Sequence, residues 1–458
     1  MHFSHYSYQP GETIAAIATP PGEGGVAVIR ISGKEAIATA DKIFSGKVSS
    51  YKTHTVHYGW VQDAAGDNVD SALAIVMHGP RSFTGEDTVE IQSHGGSLVS
   101  RRVLEVILAA GARPALPGEF SFKAFMNGKL DLAQAEAIQD LICAKNELSL
   151  KAAEDRLKGV LSKKIADFQS QLITIAAILE ACVDFPEEDI EFASMEEICE
   201  RLAATATSMQ ELAETFHDGK IIHDGLSLCL AGCPNVGKSS LMNALLDKDR
   251  AIVTPIPGTT RDTLEEGLRL NGLNLRLIDT AGIREASEIV EIEGIRRSKQ
   301  AMKEADLILL VLDAERGLNE EDRELIRTLP EEKTIAIWNK IDLPHPNLPE
   351  LPLKTVVSLS AKTKQGIATL HESIDKVIWK NGPPSKEEVI ITNLRHKEAL
   401  VKAIKSFQKV IKGLRTKISP EFLSFEMRQC LKELGHIIGI DVTEDILSSI
   451  FSQFCIGK

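Results

Sequence analysis

The segment Gly232-Cys233-Pro234-Asn235-Val236-Gly237-Lys238-Ser239 sets two glycines, a lysine and a hydroxyl at the spacing G-x-x-x-x-G-K-[ST]. Glycines let successive backbone N–H groups turn inward on phosphate oxygens, and a helix that follows adds the partial positive charge of its N-terminus. The strand-like stretch 226–230 precedes the segment, and a helix is expected over 240–246. In such a loop Asn235, Val236, Gly237, Lys238, Ser239 and Ser240 surround the phosphates. Lys238 reaches the β- and γ-phosphates, and the Ser239 hydroxyl holds Mg²⁺.

Three further clusters follow in order. Asp279-Thr280-Ala281-Gly282 comes after a hairpin-like pair, 264–270 and 273–278, turned at Asn271-Gly272. Its Asp suits Mg²⁺ through water, and the Gly282 amide suits the γ-phosphate. Asn339-Lys340-Ile341-Asp342 follows the apolar run 334–338. A carboxylate there accepts two hydrogen bonds from a guanine edge, which adenine does not offer. Ser360-Ala361-Lys362 follows 356–359 and backs the base through its amides. Thr259-Thr260-Arg261-Asp262 lies between the first and second clusters, with Thr260 as the second expected Mg²⁺ ligand.

This series, each member closing a strand, resembles the small Ras-like GTPases, and it implies GTP as ligand. In that family a glutamine after D-x-x-G aligns the attacking water; here the place holds Ile283, which cannot. An arginine finger usually contributes about 10³–10⁵ in rate, and Arg261 and Arg284 are available. Asn235, with Thr-Thr in the first switch, resembles instead the potassium-activated GTPases. That resemblance implies K⁺ held by Asn235, by the backbone of Thr254 and Ile256, and by Thr259, in the place of the finger's charge. It also implies that Glu291 orients water through a bridging water, giving Glu291, Lys238 and Asn235 as the catalytic set. A solvated helix position is the alternative for Glu291.

The elements that must carry these residues are legible in the texture of the 458-residue chain, a length that suggests two to four domains. Residues 14–125 mix β-rich runs, 26–31, 72–77 and 88–92, with a helical pattern over 97–110, as in a small α/β domain. From 130 to about 218 Gly and Pro thin out and apolar residues recur at helical spacing, with an acidic turn at 184–189. Strands and helices alternate from 225 to about 380, a linker follows at 381–385, and 386–452 is helical again. Two helical tracts around an α/β unit predict one helical domain with a second domain inserted into it.

Composition narrows the classes. With 43% hydrophobic residues the chain can bury more than one core, which excludes wholesale disorder. A net charge of −13 argues against sequence-blind nucleic-acid binding by bulk charge, while leaving room for a local basic face. One candidate is the tract carrying Arg395, Lys397, Lys402, Lys405, Lys409, Lys412, Arg415 and Lys417; a solvated helix face explains it about as well. Seven scattered cysteines without a C-x-x-C pair argue against a zinc knuckle and suit a reducing compartment. The N-terminus has no basic segment followed by an apolar run, and no stretch of about 18 apolar residues occurs. A cytoplasmic protein with no membrane contact is expected.

The flanks add Ala18-Thr19-Pro20-Pro21-Gly22, Arg30-Ile31-Ser32-Gly33, Ser82-Phe83-Thr84-Gly85-Glu86-Asp87, His94-Gly95-Gly96, Pro117-Gly118-Glu119-Phe120-Ser121, the run 129–137 and the terminal Phe454-Cys455-Ile456-Gly457-Lys458. With these the chain resembles the MnmE (TrmE) family of tRNA-modifying GTPases along nearly its whole length. The resemblance implies a folate-binding and dimerising domain over 1–127, a helical domain split into 128–224 and 383–458, and a Ras-like GTPase domain over 225–382. It implies a homodimer that works with the flavoprotein MnmG (GidA), in a heterotetramer or larger complex, on carbon 5 of the wobble uridine of certain tRNAs. The added group is aminomethyl or carboxymethylaminomethyl, and the one-carbon donor is 5-formyl- or methylene-tetrahydrofolate. By position Arg30, Glu90, Lys129 and Lys458 contact the folate, while Cys455 is either a nucleophile or a small residue packed beneath it. The rival is a GTP-dependent RNA or ribosome-assembly switch without one-carbon chemistry.

Overall fold

The computed structural model describes residues 11–184, 195–246, 269–278, 302–379, 382, 384–385, 388–416 and 418–457. The first of its units is a six-stranded sheet with helices. In chain order it comprises β1 (Ile14–Ile17), β2 (Val26–Ser32), α1 (Ala36–Ile43), β3 (Thr55–Gln62), β4 (Asn68–Met77), β5 (Thr88–His94), α2 (Ser97–Ala109), β6 (Arg113–Pro114) and α3 (Glu119–Met126). The strands lie in the order β3-β4-β5-β2-β1-β6. Successive side chains of a strand point to opposite faces. Ala27, Ile29 and Ile31 of β2 therefore join Val89 and Ile91 of β5 and Val103 and Ile107 of α2 in one core. Arg30 and Glu90, register partners on the same two strands, face the other side.

The segment 82–87 is held to that sheet from within. Buried Ser32 Oγ lies 2.7 Å from Thr84 Oγ1 and 2.9 Å from Thr88 Oγ1. Glu86 accepts from the fully buried Lys123 at 2.7 Å. A buried ammonium is tolerated only when paired in this way.

Five helices follow: α4 (Leu132–Cys143), α5 (Glu147–Leu157), α6 (Val160–Asp184), α7 (Met195–Glu214) and α8 (Phe216–Asp224). Asp131 and Asn146 close capping boxes at the starts of α4 and α5, satisfying amides the helices leave over. Next comes the second sheet with its helices: β7 (Leu226–Ala231), α9 (Lys238–Leu246), β8 (Arg269–Leu270), β9 (Leu273–Leu277), β10 (Leu307–Asp313), α10 (Glu320–Thr328), β11 (Thr334–Asn339), β12 (Thr355–Ser358) and α11 (Ile367–Ile378). The order is β12-β11-β10-β7-β9-β8, parallel except for the β8–β9 hairpin. Asn271 (φ 52°) and Gly272 (φ 77°) turn that hairpin with two left-handed residues, as the Asn-Gly pair predicts. β10 and β11 are buried at every position because apolar layers cover both faces.

The chain then returns to helix in α12 (Leu394–Arg415), α13 (Pro420–Ile438) and α14 (Glu444–Phe451). Leu161, Ile165 and Phe168 of α6 and Leu202 and Met209 of α7 share one core with Leu400 and Phe407 of α12 and Met427 and Leu434 of α13. The helical tracts on either side of the second sheet are thus one packed body, as the sequence texture predicts. A buried polar cluster joins them: Glu136 of α4 accepts from Arg395 Nη2 and from His396 Nε2, each at 2.8 Å. Arg395 also donates to the carbonyls of His436 and Ile437. Burial pushes the Glu136 carboxyl up, but the His396 N–H and the Arg395 guanidinium outweigh it and hold it at about 2.

No helix among the described residues is long and apolar enough to cross a membrane.

Replacing Glu136 with Ala leaves Arg395 and His396 without their acceptor, and breaking one side of a buried ion pair costs about 3–5 kcal/mol. The helical unfolding transition of Glu136→Ala should shift to markedly lower urea concentration. The depressed carboxylate also fixes a pH sign. Its contribution is complete above the ordinary 4.5 and is lost as pH falls toward about 2, which an acid titration of helical circular dichroism reads.

Candidate functional site

The second sheet brings four chain segments to the C-terminal ends of its parallel strands, the edge at which open α/β sheets bind ligands. The loop 232–237 joins β7 to α9. Gly232 has φ +135°, and a Cβ there would lie 2.3 Å from the Val311 carbonyl oxygen. Gly237 has φ +98°, and its Cβ would lie 2.3 Å from Asn339 Nδ2. The two glycines of the motif are therefore required by close approach as well as by backbone conformation. Lys238 Nζ donates to the carbonyls of Gly232 at 2.7 Å and Cys233 at 2.8 Å, so the ammonium is held across the mouth of the loop. Desolvation pushes its pKa down. Ser239 and Ser240 are exposed at the start of α9, where helix N–H groups lack intrahelical partners. Val236 is buried, and Asn235 stands exposed at φ 64°.

Asn339 ties this loop to the base side. Its Nδ2 donates to the Val236 carbonyl at 2.8 Å, and its Oδ1 accepts from the Ala361 amide at 3.0 Å. One buried carboxamide thus fixes the phosphate loop, the end of β11 and the loop after β12 together. Ser360 Oγ accepts from the Thr363 amide at 3.1 Å and holds that last loop closed. Asp342 is exposed. Its acceptor oxygens suit the N1–H and amino group of guanine.

Two residues that the sequence reading did not single out support the site. Asp313, which closes β10 and is the register partner of Asn339, accepts from Lys340 Nζ at 2.6 Å. Burial raises its pKa, but Lys340 and the amides of Arg316 and Glu315 more than compensate and hold it below the usual carboxylate range. The pair clamps Lys340, whose backbone is left-handed at φ 69°. Cys233 is the other. Its buried thiol donates to Asp322 Oδ1 at 3.1 Å, and Arg316 reaches the second oxygen of Asp322 at 2.6 Å. Burial, then Asp322, pushes the thiol pKa up, so Cys233 is an anchor between the phosphate loop and α10. An Asp ending an apolar strand was the available signal for Asp313. Cys233 gave none, because its partner lies 89 positions away.

Several expected positions fall outside the described residues: Thr254, Ile256, Thr259, Thr260, Arg261, Asp262, Asp279, Thr280, Ala281, Gly282, Ile283, Arg284, Glu291 and Lys458.

A second candidate site lies on the first sheet. Arg30 Nε donates to Glu90 Oε1 at 2.8 Å, and Arg30 Nη1 to the Gly457 carbonyl at 3.2 Å. The guanidinium carbon also sits 5.6 Å from the centre of the Phe120 ring and 5.8 Å from that of Phe83. Gly457, at φ +94°, packs where a Cβ would lie 2.7 Å from the Ile17 carbonyl oxygen. The chain's last residues thereby reach the sheet of its first domain. Glu90 keeps its second oxygen unengaged among the described residues, an acceptor suited to amino and ring N–H groups. Lys129 Nζ donates to the Pro80 carbonyl at 3.0 Å, and no contact joins it to Arg30 or Glu90 among the described residues. Cys455 is exposed; Phe454 does the packing, against Phe451, whose ring in turn meets Phe122.

Comparisons with known proteins span both sheets. A family model described as the GTP-binding protein TrmE N-terminus matches residues 13–129, and one described as the MnmE helical domain matches 132–455. The tRNA modification GTPase MnmE of Protochlamydia amoebophila is 66% identical over 458 residues, covering 100% of both chains. The protein of the same name from Alkaliphilus oremlandii is 43% identical, covering 98% of this chain and 99% of its own. Among solved structures, a point variant of Aquifex aeolicus Era bound to GDP·AlF4⁻ is 25% identical over 39% of this chain and 66% of its own, with a TM-score of 0.24.

Asn339→Ala removes both carboxamide hydrogen bonds and should weaken GDP binding roughly 10- to 100-fold, read by titration with a fluorescent GDP analogue. Asp342→Asn should lose guanine selectivity and gain affinity for xanthosine nucleotides, whose edge offers an acceptor where guanine has its amino group.

Proposed function

This chain belongs to the MnmE family of tRNA modification GTPases and is a GTP hydrolase; from that premise we propose that its turnover drives modification of the wobble uridine in tRNA. The reading is carried by the Asn339 carboxamide, which binds the phosphate loop and the base loop into one site, within a chain alike in full length to relatives of that name. The four parts of the proposed division are 1–127, 128–224, 225–382 and 383–458.

Lys238 moves from the Gly232 and Cys233 carbonyls onto the β- and γ-phosphates, exchanging neutral acceptors for charged ones. Amides of 235–240 carry the remaining phosphate charge. Ser239, Thr260 and Asp279 would hold Mg²⁺, which when bound would neutralise phosphate charge. Asn235, Thr259 and the backbone of Thr254 and Ile256 would hold K⁺, which when bound would supply the positive charge an arginine finger gives elsewhere. Asn235 is exposed at a left-handed turn of the phosphate loop, which is compatible with that role. Glu291 orients the attacking water.

The folate site is assigned to Arg30 and Glu90, with Lys129 and Lys458. Glu90 accepts from the pterin edge, and Arg30 holds the Glu90 carboxylate in position while the Gly457 carbonyl fixes Arg30. A 5-formyl- or methylene-tetrahydrofolate bound there supplies the one-carbon unit. The protein acts in the cytoplasm as a homodimer with a flavin-containing partner of the MnmG type. An apolar edge supports dimerisation: β3 borders the sheet and exposes Val56 (55%), Tyr58 (70%) and Trp60 (42%).

Two outcomes test this reading. GTP hydrolysis at equal ionic strength should run at least tenfold faster in potassium than in sodium chloride, and the difference should vanish in Asn235→Ala. Equal rates in both salts remove the K⁺ assignment. Binding of 5-formyl-tetrahydrofolate, followed by calorimetry, should be saturable and should be lost in Arg30→Ala while GTP hydrolysis persists. Undiminished binding in that variant places the folate elsewhere.

A further inference from the structure

We infer that the outer face of α12, with the adjoining first turns of α13, is the surface on which the chain docks the unpaired loop of its RNA. The inference rests on the tRNA reading above and adds the place and the chemistry of contact. A chain of net charge −13 repels polyphosphate in bulk, so RNA must meet a local positive face. Lys402, Lys405, Lys409 and Lys412 recur at helical spacing and are exposed. Ala403, Ile404, Phe407, Val410 and Leu414 hold the opposite side of α12 in the core, which fixes the lysine stripe outward. At 1.5 Å per residue it runs about 15 Å.

The structure divides the basic tract. Arg395 belongs to Glu136, and Lys397 Nζ lies 4.8 Å from the centre of the Phe216 ring. Lys409 donates to Glu426 Oε1 of α13 at 2.8 Å. Lys402, Lys405 and Lys412 make no ion pair among the described residues. The Lys409–Glu426 bond sets α13 beside the stripe. One turn before Glu426 stands Phe422, and next to it Phe425, 41% and 57% exposed. Duplex docking through phosphates leaves exposed rings unused. Lysines beside exposed aromatics fit an unpaired loop, whose bases stack while its backbone is neutralised.

The test uses the full-length chain and a fluorescent, unmodified tRNA, with affinity read by anisotropy over a salt series. Replacing Lys402, Lys405 and Lys412 together by Ala should weaken binding at least tenfold at low salt and reduce the slope of log affinity against log salt by about 2. GTP hydrolysis without tRNA should not change. Phe422→Ser with Phe425→Ser should weaken binding to an anticodon stem-loop about tenfold or more and leave the salt slope as it was. Wild-type affinity and slope in both variants overturn this surface and leave the tRNA reading standing. Absence of tRNA binding by the wild-type chain overturns both. Loss of flavoprotein binding in the lysine variant, with tRNA affinity intact, assigns the face to a protein and also overturns the inference.

Discussion

A single buried carboxylate holds the architecture together. Glu136 lies on the first helix after the N-terminal domain, and its partners Arg395 and His396 open the helix that follows the inserted sheet, some 260 positions later. The apolar core around Phe168, Leu400 and Phe407 supplies the larger attraction, but apolar contact is not directional. Glu136 is directional: Arg395 reaches both its carboxylate on α4 and the His436 and Ile437 carbonyls at the end of α13, which ties α4, α12 and α13 together through oriented bonds. The price of an error is an unpaired charge in a dry interior. That arrangement leaves the two ends of the inserted domain anchored to one body.

The same helical body is hydrogen-bonded to the second sheet and lies beside the tail that reaches Arg30. Asn146, at the start of α5, donates to the Ile222 carbonyl at 3.0 Å, just ahead of β7 and the phosphate loop. His223 bridges Asp140 and Asp224 at 3.2 and 2.7 Å, and those two carboxylates raise its pKa to about 9, so it is a cation at neutral pH. Arg269 of the β8–β9 hairpin donates to the Lys145 carbonyl at 3.0 Å. At the other end of α4 the tail after α14 seals Gly457 against β1 and Arg30. Hydrogen bonds thus tie the second sheet, and the helix leading into it, to α4 and α5.

The chemistry was more legible in the sequence than the geometry that supports it. The phosphate loop, the Asn-Gly turn and Asn339 through Asp342 are local strings whose spacing encodes their conformation. The β-runs now seen as β2, β4 and β5 were equally clear, because their apolar residues alternate toward a core. β3 was not read, because it turns Val56, Tyr58 and Trp60 to the surface. Cys233 and Glu136 are not legible for another reason: each acts through partners far along the chain, and pairing of that kind has no local period. Arg30, Glu90, Lys129 and Lys458 are named as a site only by resemblance. The structure brings the first two together, and Lys129 is anchored to Pro80 instead. The basic tract of α12 was half legible: its periodicity was plain, but the engagement of Arg395, Lys397 and Lys409 needed the fold.

The central claim is that GTP hydrolysis, and not GTP binding alone, is coupled to tRNA modification. The direct measurement is nucleoside analysis of tRNA after incubation with this chain, the proposed flavoprotein partner, the proposed tetrahydrofolate donor and an amine, comparing GTP with a non-hydrolysable analogue. The account predicts a modified wobble uridine with GTP and essentially none with the analogue. Equal product with both would show that nucleotide binding suffices, and would contradict the coupling on which this reading of the structure rests.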